Sequence, residues 1–182
     1  VLNRFNHTSH DRHRGFWGRF QSAERLPYDR AIAINGARIL IVGMGGVGSG
    51  AYERVERSHP GQVLGVDSDP GTVKRHLDRG WSALRGDPSD RDFWERVQAS
   101  DCVDLVLLAL PRVSTNLAVI GELLRSGFKG RIASVARYSE EAVQLREAGA
   151  DQVFNIYQQA GSGFASEAIQ FLEHDSGNHA GL

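Results

Sequence analysis

From about residue 37 the chain alternates between two rhythms of apolar and polar positions. Compact aliphatic runs read as buried strands, and apolar residues spaced three or four apart between them read as helices. Arg38-Ile-Leu-Ile-Val42 opens the series. A helix follows over 46 to 58 with Val47, Ala51 and Val55 on one face, then a strand over 62 to 66 and a helix over 70 to 79. A weak third strand is expected at 83 to 85. The segment from Asp87 to Asp92 reads as the capped start of a short helix carrying Phe93, Trp94 and Val97. Asp104-Leu-Val-Leu-Leu-Ala109 has the unbroken apolar character of a central parallel strand, and the helix after it sets Leu117, Ile120 and Leu124 on one face. Arg131 to Ala136 supplies a fifth strand, Ser139 is expected to cap a helix ending at Gly149, and 152 to 156 gives a sixth strand. Phe164, Ala168, Phe171 and Leu172 mark a last helix by their spacing. Alternation of this kind with right-handed crossovers predicts an α/β, Rossmann-type doubly wound parallel sheet in the order 3-2-1-4-5-6.

The first strand runs straight into Gly43-Met-Gly45-Gly-Val-Gly48, a G-x-G-x-x-G motif. In that motif Gly43 allows the tight turn, Gly45 lets a phosphate approach the backbone, and Gly48 lets the helix pack closely on the strand. The second strand ends at Asp67, nineteen residues past Gly48, where the fingerprint expects an acid on ribose. Its charge would also repel a 2′-phosphate, favouring NAD or an unphosphorylated adenosine over NADP. Ligands of such sheets lie outside the carboxyl ends of the strands at the switch point. The expected contacts are therefore Gly43, Met44, Gly45, Gly46, Val47 and Gly48, Asp67 with Ser68, Gly86 with Asp87 near adenine, and Leu110 with Pro111. Arg112, Asn116 and Arg137 leave the fourth and fifth strands on the same side, where an arginine could pair with phosphate. Asp87 also suits a helix N-cap.

Composition narrows the classes. The 182 residues, 41% hydrophobic and 24% charged, suit one soluble domain with appendages. A net charge of −1 gives no basic surplus for nucleic acid, so no nucleic-acid partner is expected. The single cysteine, Cys102, cannot form an internal disulfide and fits a reducing compartment. The longest apolar run is far short of the roughly 20 residues of a membrane helix, and no signal-peptide pattern opens the chain. Val1 in place of methionine suggests a piece of something longer. Residues 1 to 35 carry six arginines against three acids and no apolar period, so they read as a basic linker or arm. His7, His10 and His13 fall within it, as do Phe16, Trp17 and Phe20, an aromatic patch suited to docking. The nucleotide-binding domain is expected over 36 to 173, with a flexible tail over 174 to 182.

Catalytic residues are missing from the pattern. A dehydrogenase needs a substrate lobe and an acid or base beside the nicotinamide, and the patterned segment amounts to one lobe. None of the four tyrosines is followed four positions later by lysine, and no nucleophile elbow, P-loop or zinc-spaced set appears. A one-lobe NAD-dependent oxidoreductase remains the alternative reading.

Three segments carry a resemblance to a known family: Val42 to Gly48; Gly86-Asp-Pro-Ser-Asp90 with Phe93-Trp-Glu-Arg96; and Gly149-Ala-Asp-Gln-Val-Phe-Asn-Ile-Tyr157 followed by Ala160 to Ala165. Over residues 37 to 172 the chain resembles the Trk/Kef-type N-domain, also called the regulator of potassium conductance. These domains are attached to potassium channels and cation-proton antiporters. The resemblance implies a site for NAD(H) or AMP/ATP, a homodimer, and control of a potassium efflux or cation-proton antiport system through a membrane transporter domain or subunit. It also implies a place in the cytoplasm, at the cytoplasmic face of the membrane. Asn116 matches an asparagine of the family at the start of the helix after the fourth strand. Gly46 departs from a position that many relatives fill with a basic or polar residue, so phosphate contacts there would lean on backbone.

Overall fold

The structure, a computed structural model, describes residue 34 and residues 36 to 178, with side chains through 172. The expected basic arm, its histidines and its aromatic patch lie outside the described residues. Twelve elements follow one another: β1 (Ile39–Val42), α1 (Gly46–Ser58), β2 (Val63–Asp67), α2 (Pro70–Asp78), β3 (Ala83–Arg85), α3 (Arg91–Ala99), β4 (Leu105–Leu108), α4 (Val113–Arg125), β5 (Arg131–Ala136), α5 (Ser139–Glu147), β6 (Gln152–Asn155) and α6 (Ile156–Asn178). All five strand pairings are parallel and the order is β3-β2-β1-β4-β5-β6, the doubly wound arrangement that the pattern predicts.

Pleating sorts β1 between two cores. Leu40 and Val42 face a large cluster with α3, α4 and α5, where Trp94, Val119, Ile120, Leu123 and Leu145 are inaccessible to solvent. Ile41 faces a smaller cluster with Met44, Tyr52 and Val63. Buried apolar area of this kind is the main favourable term in the fold. Trp94 meets the polar condition of burial as well, its Nε1–H donating to the Pro88 carbonyl at 2.8 Å. The buried stripe of α4 is Asn116, Val119, Ile120 and Leu123, so it is rotated from the expected one, and Leu124 is half exposed.

Cover is uneven on the side of the smaller core. Ile41, Leu107 and Ala133 stand in register across three strands, as do Val135 and Phe154 across two. Leu107 and Val135 are only partly buried, and Phe154 is half exposed. The last helix does not return over them. It continues to Asn178, past the expected start of the tail, and shows Phe164, Ile169, Phe171 and Leu172 to solvent. No described helix is long and apolar enough to cross a membrane.

Two helix starts differ from expectation. Tyr138, not Ser139, is the N-cap residue of α5 and makes no side-chain cap. Its extended backbone leaves Ser139 inside the first turn, and Glu141 reaches back to accept the Arg137 N–H at 2.7 Å. At α3 the cap is Asp90, which accepts the Asp92 N–H at 3.0 Å, while Asp87 holds the preceding turn through the Ser89 N–H at 2.8 Å.

Candidate functional site

The turn from β1 into α1 brings three glycines into three different situations. Gly43 has φ +90°, a left-handed conformation that side chains resist, and a Cβ there would stand 3.0 Å from the Ala109 carbonyl oxygen. At Gly48 a Cβ would lie 1.9 Å from the Gly43 oxygen, so only glycine lets α1 sit this close to β1. Gly45 and Gly46 are different: a Cβ at either would meet nothing within 4 Å. Their open side faces a cleft. The start of α1 there has no side-chain cap and no acid in its first turn. The N–H groups of a helix's first turn lack intrahelical partners and carry partial positive charge, which suits an anion.

Asp67 stands beside this loop at the end of β2. Its Oδ2 accepts the Met44 N–H at 2.8 Å and its Oδ1 accepts the Asp69 N–H at 2.9 Å. Each carboxylate oxygen keeps a second lone pair, so the two backbone bonds orient the group without exhausting it. Met44 is held from its carbonyl side too. That oxygen accepts the Ser49 hydroxyl at 3.1 Å and lies 2.9 Å from His76 Nε2. The imidazole is buried and stacked on Trp81, which stacks in turn on Tyr52. The glycine loop is thereby tied to both β2 and α2.

The cleft has a volume of about 450 Å³, within the range of small-molecule sites. One wall is Gly43, Gly45, Gly46, Val47, Asp67 and Ser68; the other is built from Leu110, Pro111, Val113, Asn116, Arg137 and Glu141. Asn116 is buried on the first turn of α4. Its amide donates to the carbonyls of Leu110 at 3.2 Å and Val135 at 3.4 Å, while Oδ1 has no partner among the described residues. The Arg137 guanidinium donates to the Pro111 carbonyl and joins the loops after β4 and β5.

Of the residues expected from sequence, Gly43, Gly45, Gly46, Val47, Asp67, Ser68, Leu110, Pro111, Asn116 and Arg137 line this one cleft. Met44 contributes backbone to the loop, but its side chain turns into the smaller core over Gly65. Gly48 stands behind the loop as a packing contact. Gly86 and Asp87 are outside the lining residues: a Cβ at Gly86 would strike the Phe93 ring at 2.7 Å, so that glycine serves the packing of α3, and Asp87 serves its turn. Arg112 is the exposed N-cap residue of α4.

Sequence reasoning missed Glu141, Val113 and the strap from His76 and Ser49. Glu141 was reachable, because the first turn of the helix after β5 must open on the same crevice as the loops of β1 and β4. The His76 contact joins residues 32 apart on different elements and leaves no periodic trace.

Comparison with known proteins bears on the family and the fold. Residues 39–156 match the family model described as the TrkA-N domain. The fold is similar to the NAD(P)-binding domain of an exopolyphosphatase-related protein from Archaeoglobus fulgidus, at 22% identity and a TM-score of 0.66 over 74% of this chain and 98% of that one. It is similar as well to the TrkA-N domain of the inner membrane protein ybaL from Escherichia coli, with 22% identity, a TM-score of 0.60 and coverage of 71% and 94%. The Kef C-terminal domain of Shewanella denitrificans in its AMP-bound form gives 17% identity, a TM-score of 0.61 and coverage of 74% and 80%. At such identities the likeness speaks for the fold alone. Sequence comparison with curated proteins finds no match.

Proposed function

The chain belongs to the TrkA-N domain family, and from that premise we propose that it is a nucleotide-sensing regulatory domain rather than an enzyme. It binds NAD(H) or AMP/ATP and governs a potassium efflux or cation-proton antiport system from the cytoplasmic face of the membrane. The observation that carries this reading is the open face of Gly45 and Gly46 at an uncapped helix start, with the Asp67 carboxylate fixed beside it. Phosphate would lie on the glycine backbone and the first turn of α1. Ribose hydroxyls would donate to the free lone pairs of Asp67, whose charge disfavours NADP. The AMP in the similar Kef domain and the inner-membrane setting of ybaL support the ligand class and the kind of partner.

A sensor needs two arrangements that the ligand can choose between. In this reading the domain is a homodimer, and α6 is its means of assembly. The exposed Phe164, Phe171 and Leu172 of one copy would cover the partly exposed sheet face around Leu107 and Phe154 of the other. Ile120, which the spacing sets on one face of α4 with Leu117 and Leu124, is fully buried in the core and is not part of this interface. Light scattering at tens of micromolar should report a dimer, and Phe164→Ser with Phe171→Ser should shift it to monomer with the fold retained. A wild-type monomer with and without nucleotide would remove this lever.

A further inference from the structure

The geometry points to Glu141 as the residue that makes the cleft select a dinucleotide over a nucleoside triphosphate, an inference that rests on the nucleotide-binding reading above. The cleft spans four strand ends. Asp67 closes β2, the glycine loop follows β1, Leu110 and Pro111 follow β4, and Arg137 and Glu141 follow β5. Neighbouring strands lie about 4.8 Å apart, so three intervals separate the β2 and β5 ends by roughly 14 Å. A mononucleotide with ribose at Asp67 and its phosphate at Gly45 occupies only the first half.

The second half has a different chemistry. Pro111 and Val113 line it with apolar surface, and Glu141 lies at its end. The carboxylate is held in place, because Oε2 accepts the Arg137 N–H at 2.7 Å. Its Oε1 shows no partner among the described residues and remains an acceptor. Arg137 is the one cation among the described lining residues, against the two acids Asp67 and Glu141. One cation suits a pyrophosphate at the middle. A third phosphate carried further would meet the Glu141 carboxylate and be repelled, whereas a second ribose arriving there would donate its hydroxyls to it. A dinucleotide has the matching order of groups: ribose, pyrophosphate, ribose, with an acid for each sugar.

Calorimetric titration of the whole chain with AMP, magnesium-free ATP, ADP-ribose and NAD tests this. The wild type should bind NAD and ADP-ribose at least about tenfold more tightly than ATP, the discrimination expected from one charged hydrogen bond gained or one charge repulsion avoided. Glu141→Gln keeps an acceptor for the Arg137 N–H. In it the NAD-to-AMP affinity ratio should fall about tenfold and the ATP-to-AMP ratio should rise. Thermal unfolding checks that the variant is folded, and the wild-type comparison stands without it. Clear AMP binding with NAD and ATP equal in the wild type would overturn the role of Glu141 and leave the nucleotide site standing. No binding of AMP or of any other nucleotide would overturn that site itself.

Discussion

The starts of α1 and α2, both reached from neighbouring strands, are finished in opposite ways. At α2, Asp69 accepts the N–H of Gly71 at 3.3 Å and the N–H of Thr72 at 2.8 Å, and it takes the Thr72 hydroxyl at 2.7 Å. Pro70 fills the first turn without an N–H to satisfy. The bond from the Thr72 hydroxyl, followed by the backbone N–H bonds of Thr72 and Gly71, holds the Asp69 carboxyl below its ordinary value. At α1 the cap is Gly45, with no side-chain bond and a cleft where the capping group would be. One helix start is closed by its own chain and the other is left for a ligand. The difference lies in which residues fill the loops, since both loops sit at the carboxyl edge of one sheet.

Substitutions can break or sharpen this contrast. The largest effect belongs to Gly48→Val, which forces side-chain atoms into the Gly43 carbonyl. We expect a loss of about 3 kcal/mol or more of stability, seen as a large fall in the denaturant midpoint, because the obstacle is backbone rather than a flexible side chain. Gly45→Val should do the reverse: space is free around its Cβ, so unliganded melting stays within a degree or two. The stabilisation by nucleotide, about 2.7 kcal/mol at a hundredfold excess over Kd, should vanish because phosphate approach is blocked. The smallest effect is at the closed helix. Asp69→Ala should lower the melting temperature modestly at neutral pH. Because the Asp69 carboxyl titrates lower in the folded protein than in the unfolded chain, its contribution is complete above about pH 4 and is lost as pH falls further. Melting curves of wild type and Asp69→Ala should therefore converge below that pH. A constant gap would mean that the cap stabilises without its charge.

Much of the fold was legible in the residues. The aliphatic runs at β1, β4 and β5 and the glycine spacing between β1 and α1 announce strand, turn and helix through local sterics alone. The order of the sheet follows from handedness and crossover rules rather than from any one residue. What stayed hidden depended on contacts between distant elements. The Met44 side chain reads as part of a ligand loop, yet the absence of a side chain at Gly65 gives it room in the core. Ser139 reads as a cap, but Tyr138 takes the extended position and Glu141 supplies the acceptor. The spacing of Phe164, Phe171 and Leu172 predicts a helix with an apolar stripe, and whether that stripe is buried is a property of what lies opposite, which spacing does not encode.

Titration of the wild-type chain with AMP and NAD, followed by calorimetry and set beside Gly45→Val, tests the central claim most directly. The open start of α1 predicts saturable one-site binding in the wild type and none in the variant, with the variant melting as the wild type does without ligand. Equal binding by both proteins would place the nucleotide elsewhere, and no heat from either at millimolar ligand would contradict the reading of this cleft as a nucleotide site.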